Sequence, residues 1–172
     1  FRSKDQRKIK VGRLMTEIDG QPQVLFIKRY NMYSLRHKWV SPLALSGGFR
    51  ALRGAAILHD AEIPIPVPVA AVEHRRYRLL SKSFFITEEL SNGKTVDAYW
   101  SKELGLRTGR PSVGSKREFL VQLGRLFRKL HERGIYHNDL KDANILAVPD
   151  PQGETVELCL LDLEGVKLYA PL

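Results

Sequence analysis

The sequence predicts an α+β chain in two parts, a small antiparallel β-sheet with one helix and then a reduced helical part. Three observations point to it. Before residue 90, short runs rich in Val, Ile and Phe are bounded by turn residues, as strands of an antiparallel sheet are. From 115 to 130, apolar residues recur at helical spacing. After residue 134, a polar loop leads into two apolar runs separated by a Pro- and Gly-containing turn. The division falls at 1–90 and 91–172.

In chain order, residues 7–19 alternate weakly through Ile9, Val11, Leu14 and Ile18, and Asp19-Gly20 is a turn signal. Val24 to Tyr30 follows as a strand, so the two form a hairpin, with Lys28 on the same strand face as Val24 and Phe26. Ala51, Leu52, Ala55, Ala56, Ile57 and Leu58 predict a short helix. The run Ile63-Pro64-Ile65-Pro66-Val67-Pro68 cannot be helical, because each proline lacks an N–H, and it reads as extended chain. Strands are expected at Val69–Glu73 and Lys82–Thr87, and Glu88-Glu89-Leu90 opens a polar linker through Lys94. In the second part, Ser115 and Glu118 have the spacing of a capping box and place a helix start at Ser115, with Gly134 ending it. Phe119, Leu120, Leu123, Leu126, Phe127 and Leu130 form its apolar stripe, expected to be core. A hairpin over Asn144–Val148 and Val156–Leu161 turns at 149–153.

Composition bounds the function. The 172 residues carry a net charge of +9 and are 43% hydrophobic, which fits a folded domain with a basic surface. Such a surface favours anionic partners. No basic-aromatic interleaving of a nucleic-acid module is present, so no nucleic-acid partner is expected. The one cysteine, Cys159, supports no disulfide framework and suits a reducing, cytoplasmic setting. No apolar run approaches the roughly 18 residues of a membrane span, and no signal peptide is visible. The chain starts at Phe1 rather than Met, the mark of a chain that is a piece of a longer one.

The most specific feature is the string His137-Asn138-Asp139-Leu140-Lys141-Asp142-Ala143-Asn144-Ile145-Leu146. Asp139 and Asn144 stand five positions apart with Lys141 between them, and Leu160-Leu161-Asp162-Leu163-Glu164-Gly165 closes the second apolar strand. This pair resembles the catalytic loop and metal-binding motif of the protein-kinase-like superfamily. The chain over about 11–170 further resembles the lipopolysaccharide kinase family, small bacterial kinases acting on Kdo or heptose of the lipopolysaccharide core. Three features carry that second resemblance: the strand ending Ile27-Lys28-Arg29-Tyr30, the Ile-Pro-Ile-Pro-Val-Pro linker, and Asp-Leu-Glu in place of Asp-Phe-Gly.

The resemblance implies a minimal protein-kinase-like bilobal fold and an enzyme that uses ATP and Mg²⁺. Asp139 would orient the acceptor hydroxyl, and Lys141 would contact the transferred phosphate. Asn144, Asp162 and Glu164 would be the metal ligands, since Mg²⁺ prefers oxygen donors. Lys28 would hold the α- and β-phosphates, and Glu88 to Leu90 would meet adenine. The acceptor would be an anionic glycolipid, with peripheral contact at the cytoplasmic face of the inner membrane. Each residue also has a plainer reading: a turn aspartate for Asp139, a surface cation for Lys141, a turn amide for Asn144, a solvated carboxylate for Glu164, one base among 28 for Lys28. His137 reads as a brace of the loop.

The chain departs from the superfamily pattern in four places. Asn138 replaces the Arg that reads a phosphorylated activation loop. No Gly-rich phosphate loop is visible in residues 1–23. The helix that should offer Glu to Lys28 has Ala51, Ala55 and Ala56, with Asp60 and Glu62 only at its end, unless a segment between about 35 and 55 is missing. Only eight residues follow Glu164, too few for the long activation segment of a protein-substrate kinase. The rival readings are an atypical protein or small-molecule kinase of the same superfamily and a nucleotide-binding pseudokinase scaffold.

Overall fold

Strand β1 (Ile9–Ile18) opens the chain in the computed structural model, which describes residues 9–18, 20–31, 45–77, 79–106, 110–150 and 155–169. It pairs antiparallel with β2 (Gln21–Asn31), Val11 opposite Lys28. At the turn between them Gly20 takes φ +76, the conformation a tight hairpin needs and glycine adopts without strain; Asp19 lies outside the described residues. Helix α1 (Gly47–Asp60) starts four residues before the sequence pattern suggested, because the Ser46 hydroxyl caps it by accepting from Phe49 N at 3.3 Å. Strands β3 (Pro68–Arg76) and β4 (Leu79–Glu88) complete a four-stranded sheet in the order β1-β2-β4-β3. Lys28 is centred in that sheet, with Phe85 of β4 on its other side.

The Pro-rich run is extended, and its function in the fold follows from proline chemistry. It has few donors, so its carbonyls accept. Pro64 O takes Leu160 N and Val67 O takes Glu88 N, each at 2.9 Å. One short segment therefore ties the first sheet to the strands of the second part.

Those strands are β7 (Ile145–Pro149) and β8 (Val156–Leu160), with β5 (Lys94–Thr95) on the far edge of β7. Between them in sequence lie a short helix α2 (Val96–Tyr99), a π-helical turn (Trp100–Leu104) and the long helix α3 (Arg110–Glu132). The capping box at Ser115 is not the helix start. Helix α3 begins at Arg110, so Ser115 lies inside it. Pro111 falls in its first turn, where the missing N–H costs nothing. Gly134, at φ +63, closes the helix as expected. A two-stranded pair, β6 (Ile135–Tyr136) and β9 (Lys167–Leu168), then brackets the loop and the second motif. The expected turn at 149–153 lies outside the described residues from 151 on.

One core runs through both parts. It joins Tyr30, Ala51, Ala55, Leu58 and Phe85 to Phe119, Leu126, Leu130, Leu160 and Leu163. Of the expected stripe of α3, Phe119, Leu126 and Leu130 are buried, while Leu120 and Phe127 are exposed. Among the described residues no helix is long and apolar enough to cross a membrane.

Candidate active site

Between the four-stranded sheet and the β7–β8 hairpin lies a cleft of about 200 Å³. Lys28 enters it from the sheet, and Asn144 and Asp162 from the opposite side. A second cavity of about 170 Å³ continues it along Glu88, Glu89 and Leu90. Phe26, Pro66, Thr87 and Leu161 line both, so the two form one groove. Its walls are mostly apolar and its few polar groups converge at one end, the usual character of a small-molecule site.

The loop from 137 to 144 is held by its own hydrogen bonds. His137 Nε2 lies 2.7 Å from Leu161 O. A carbonyl only accepts, so Nε2 carries the proton and the ring is fixed as that tautomer. Burial pushes the His137 pKa down, opposed by the bond to Leu161, and the ring is only 3% exposed. It is a neutral brace, as the sequence suggested. Asn138 takes φ +65, a left-handed conformation that Asn tolerates better than most residues. Asp139 N donates to His137 O at 2.9 Å, which turns the chain so that the Asp139 side chain projects from the loop.

Asp139 is exposed and doubly held. Lys141 Nζ donates to its Oδ2 at 2.6 Å, and Asn144 Nδ2 reaches the same oxygen at 3.0 Å. The Lys141 hydrogen bond is the main reason the Asp139 carboxyl lies below its ordinary range, and the same bond raises Lys141. The amide of Asn144 is locked by a further bond from Nδ2 to Asp139 O at 2.8 Å. With the nitrogen so engaged, Oδ1 is the atom left for a cation.

Asp162 sits at the end of β8 with φ +60 and ψ +54, a left-handed turn at a residue of the cleft. Lys28 Nζ donates to its Oδ1 at 2.5 Å, with the two side chains 16% and 30% exposed. This pair answers the question left by the sequence. The ammonium of Lys28 is met by the aspartate 134 positions away, not by α1. Glu164 follows in a one-turn 3₁₀ helix (Leu163–Gly165), half-buried, its carboxyl pushed up by burial and pulled back by the charge of Lys28.

At the other end of the groove, the Glu88 and Glu89 amides are engaged, donating to Val67 O and Val24 O. Glu89 also meets Arg13 of β1 in an ion pair. Glu88 and Leu90 thus stand at the groove's edge.

A metal ion would find oxygen donors here but no cage. Among the described residues no three His, Cys, Asp or Glu gather. That set fits Mg²⁺ carried by a nucleotide, which keeps waters and phosphate oxygens and takes only one or two protein ligands. Sequence reasoning missed Tyr30, Pro66 and Thr87 as groove residues. Tyr30 was within reach, because strand alternation puts it on the face of Phe26 and Lys28. Pro66 and Thr87 carry no chemical signal of their own.

Comparison with known proteins agrees with this geometry. The family model of the Lipopolysaccharide kinase (Kdo/WaaP) family matches residues 1–169. A 3-deoxy-D-manno-octulosonic acid kinase of Haemophilus influenzae is 30% identical over 111 residues, 64% of this chain and 42% of that protein. Its counterpart from Actinobacillus succinogenes is 30% identical over 119 residues, 69% of this chain and 45% of that protein. The chain thus spans less than half the length of these relatives. A solved structure described as WaaP in complex with acyl carrier protein shares the fold, with a TM-score of 0.62 and 22% identity over 96% of this chain and 61% of that one. With its cleft, its paired loop motifs and a family match across nearly all its length, the chain belongs to the lipopolysaccharide kinase (Kdo/WaaP) family.

Proposed function

We propose that this chain forms the ATP-binding and catalytic part of a kinase that phosphorylates a sugar hydroxyl of the lipopolysaccharide core. The observation that carries the proposal is the convergence of Lys28, Asn144 and Asp162 on one cleft, with Asp139 bonded to Asn144 at its mouth. Adenine occupies the inner groove against Phe26 and Leu161, with the Glu88 carbonyl and Leu90 amide at its edge. Lys28 holds the α- and β-phosphates. Asp162 and Asn144 Oδ1 would hold Mg²⁺, which when bound would supply charge neutralisation at the phosphates. Lys141 stands beside Asp139, placed to meet that group.

Asp139 orients the acceptor hydroxyl and receives its proton as the oxygen attacks. Its lowered pKa makes it a weak base and keeps it ionised at neutral pH, which suits orientation more than early proton removal. The relatives' names point to 3-deoxy-D-manno-octulosonic acid as the sugar. That sugar is an anion on an anionic lipid, and a chain of net charge +9 suits it and the acidic membrane face where it is presented.

The test follows labelled γ-phosphate from ATP and Mg²⁺ into dephosphorylated lipopolysaccharide core, generic protein and water. Label in the glycolipid supports the proposal. Label only in protein would move it to an atypical protein kinase. A second reading, a nucleotide-binding pseudokinase, draws on the absence of any carboxylate on the buried face of α1. ATP binding without transfer to any acceptor would favour it.

A further inference from the structure

The buried face of α1 is made of Gly47, Gly48, Ala51, Gly54, Ala55 and Leu58. It packs too tightly to hold anything larger. A Cβ on Gly48 would lie 2.5 Å from Phe84 O, and one on Gly54 only 2.1 Å from Leu163 O. The helix therefore sits against the sheet and the Asp162 turn with no counter-charge for Lys28. The Lys28–Asp162 pair is adequate only while Asp162 is not binding a cation. Once Asp162 takes metal, a largely buried ammonium needs another carboxylate to stay in place.

Glu164 is placed to be that group. It lies two residues past Asp162, on the turn whose Leu163 carbonyl abuts Gly54. Its Oε2 is buried beside the Tyr30 hydroxyl, which favours its charged form, and neither oxygen completes a well-aligned hydrogen bond among the described residues. Lys28 Nζ lies 5.3 Å from the centre of the same Tyr30 ring. Among the positive charges acting on Glu164, that of Lys28 is larger than that of Arg50. A buried carboxylate oxygen whose hydrogen bonding is incomplete calls for a role, because such groups are ordinarily satisfied.

We propose that Glu164 is a positioning residue, the carboxylate that holds Lys28 when Asp162 turns to the metal, in place of an acidic residue on the helix. This rests on the reading of the cleft as a nucleotide site. It moves Glu164 from the metal, where the sequence put it, to the lysine.

The experiment is a double-mutant cycle on the full chain with Glu164→Gln, Lys28→Met and both, read by binding of a fluorescent ATP analogue at saturating Mg²⁺ and again in EDTA. With Mg²⁺ bound, Asp162 is taken by the metal and Glu164 is left to hold Lys28, so Glu164→Gln should weaken binding about 10-fold when Lys28 is present, within the usual coupling of groups in contact. In the Lys28→Met background the loss at the same Mg²⁺ should fall below about 2-fold. In EDTA Asp162 is free to hold Lys28, and Glu164→Gln should cost less than in Mg²⁺. Equal losses in both backgrounds at saturating Mg²⁺ would overturn the proposal and return Glu164 to the metal. If the wild type binds no nucleotide at any Mg²⁺ concentration, the nucleotide reading fails, and the melting temperatures of the four proteins decide the pair. Lys28→Met must then cost more stability with Glu164 present than with Gln there, because it strands a buried charge; equal costs would overturn the pairing.

Discussion

Single residues in this chain are held by bonds that fix their protonation as well as their place. His137 shows this most plainly. Its Nε2–H is committed to Leu161 O and its Nδ1 is buried without a partner among the described residues. Charging the ring would bury an unpaired cation, so its folded pKa lies below the unfolded value of about 6.5. The native state therefore binds fewer protons than the unfolded chain. The stability this supplies is complete above about pH 6.5 and is lost as pH falls below it. Melting temperature should drop from pH 7.5 to 5 more steeply in the wild type than in His137→Gln, where no imidazole is left to charge. Parallel curves would show that His137 is not the group responsible. The Asp139, Lys141 and Asn144 cluster belongs to the same scale, and it was the part most legible in the sequence. Its members lie within six residues, so spacing alone brings them together. The Lys28–Asp162 pair was not legible, because its partners are 134 positions apart and only the packed sheet and hairpin bring them together.

At the level of elements, α1 decides how the cleft is built. The sequence predicted a short helix from its Ala, Leu and Ile residues, and its glycines carried no reading there. In the fold they are the contact surface. Their missing side chains let the helix backbone approach Phe84 O and Leu163 O, and Ser46 and Ser83 compensate by accepting from Phe49 N and Gly48 N. Gly54→Ala should cost about 1–3 kcal/mol of stability, the usual range for overpacking a filled site. Its ATP affinity should fall as well, because the clash falls on Leu163, next to Asp162. Gly124→Ala, on the exposed side of α3 with nothing within 4 Å of its Cβ, should instead stabilise by about 0.5–1 kcal/mol through helix propensity alone. Thermal unfolding of the two variants beside the wild type checks both signs, and a stabilised Gly54→Ala would mean that α1 is not locked. The misplaced start of α3 belongs here too. A capping-box spacing at Ser115 is a local signal, and it lost to a helix already running from Arg110.

Across the whole molecule, the two parts share one core and one groove, and the Pro-rich run between α1 and β3 fastens them through Pro64 and Val67. That fastening was half legible. Alternating prolines gave the extended shape, while the hydrogen bonds that Leu160 N and Glu88 N donate to the Pro64 and Val67 carbonyls depend on elements further along the chain. The arrangement brings an apolar groove, a lysine, two oxygen donors for a cation and an ionised aspartate into line, which is what phosphoryl transfer requires. The most direct test of that account is Asp139→Asn, with Mg·ATP affinity and phosphoryl transfer measured on the same preparation. In the proposed function Asp139 meets the acceptor and not the nucleotide, so affinity should stay within about 3-fold while transfer falls by about 10²–10⁴-fold, the usual worth of a positioned acid–base group. Transfer retained near the wild-type rate would contradict the account, because the loop would then not be the site of the chemistry.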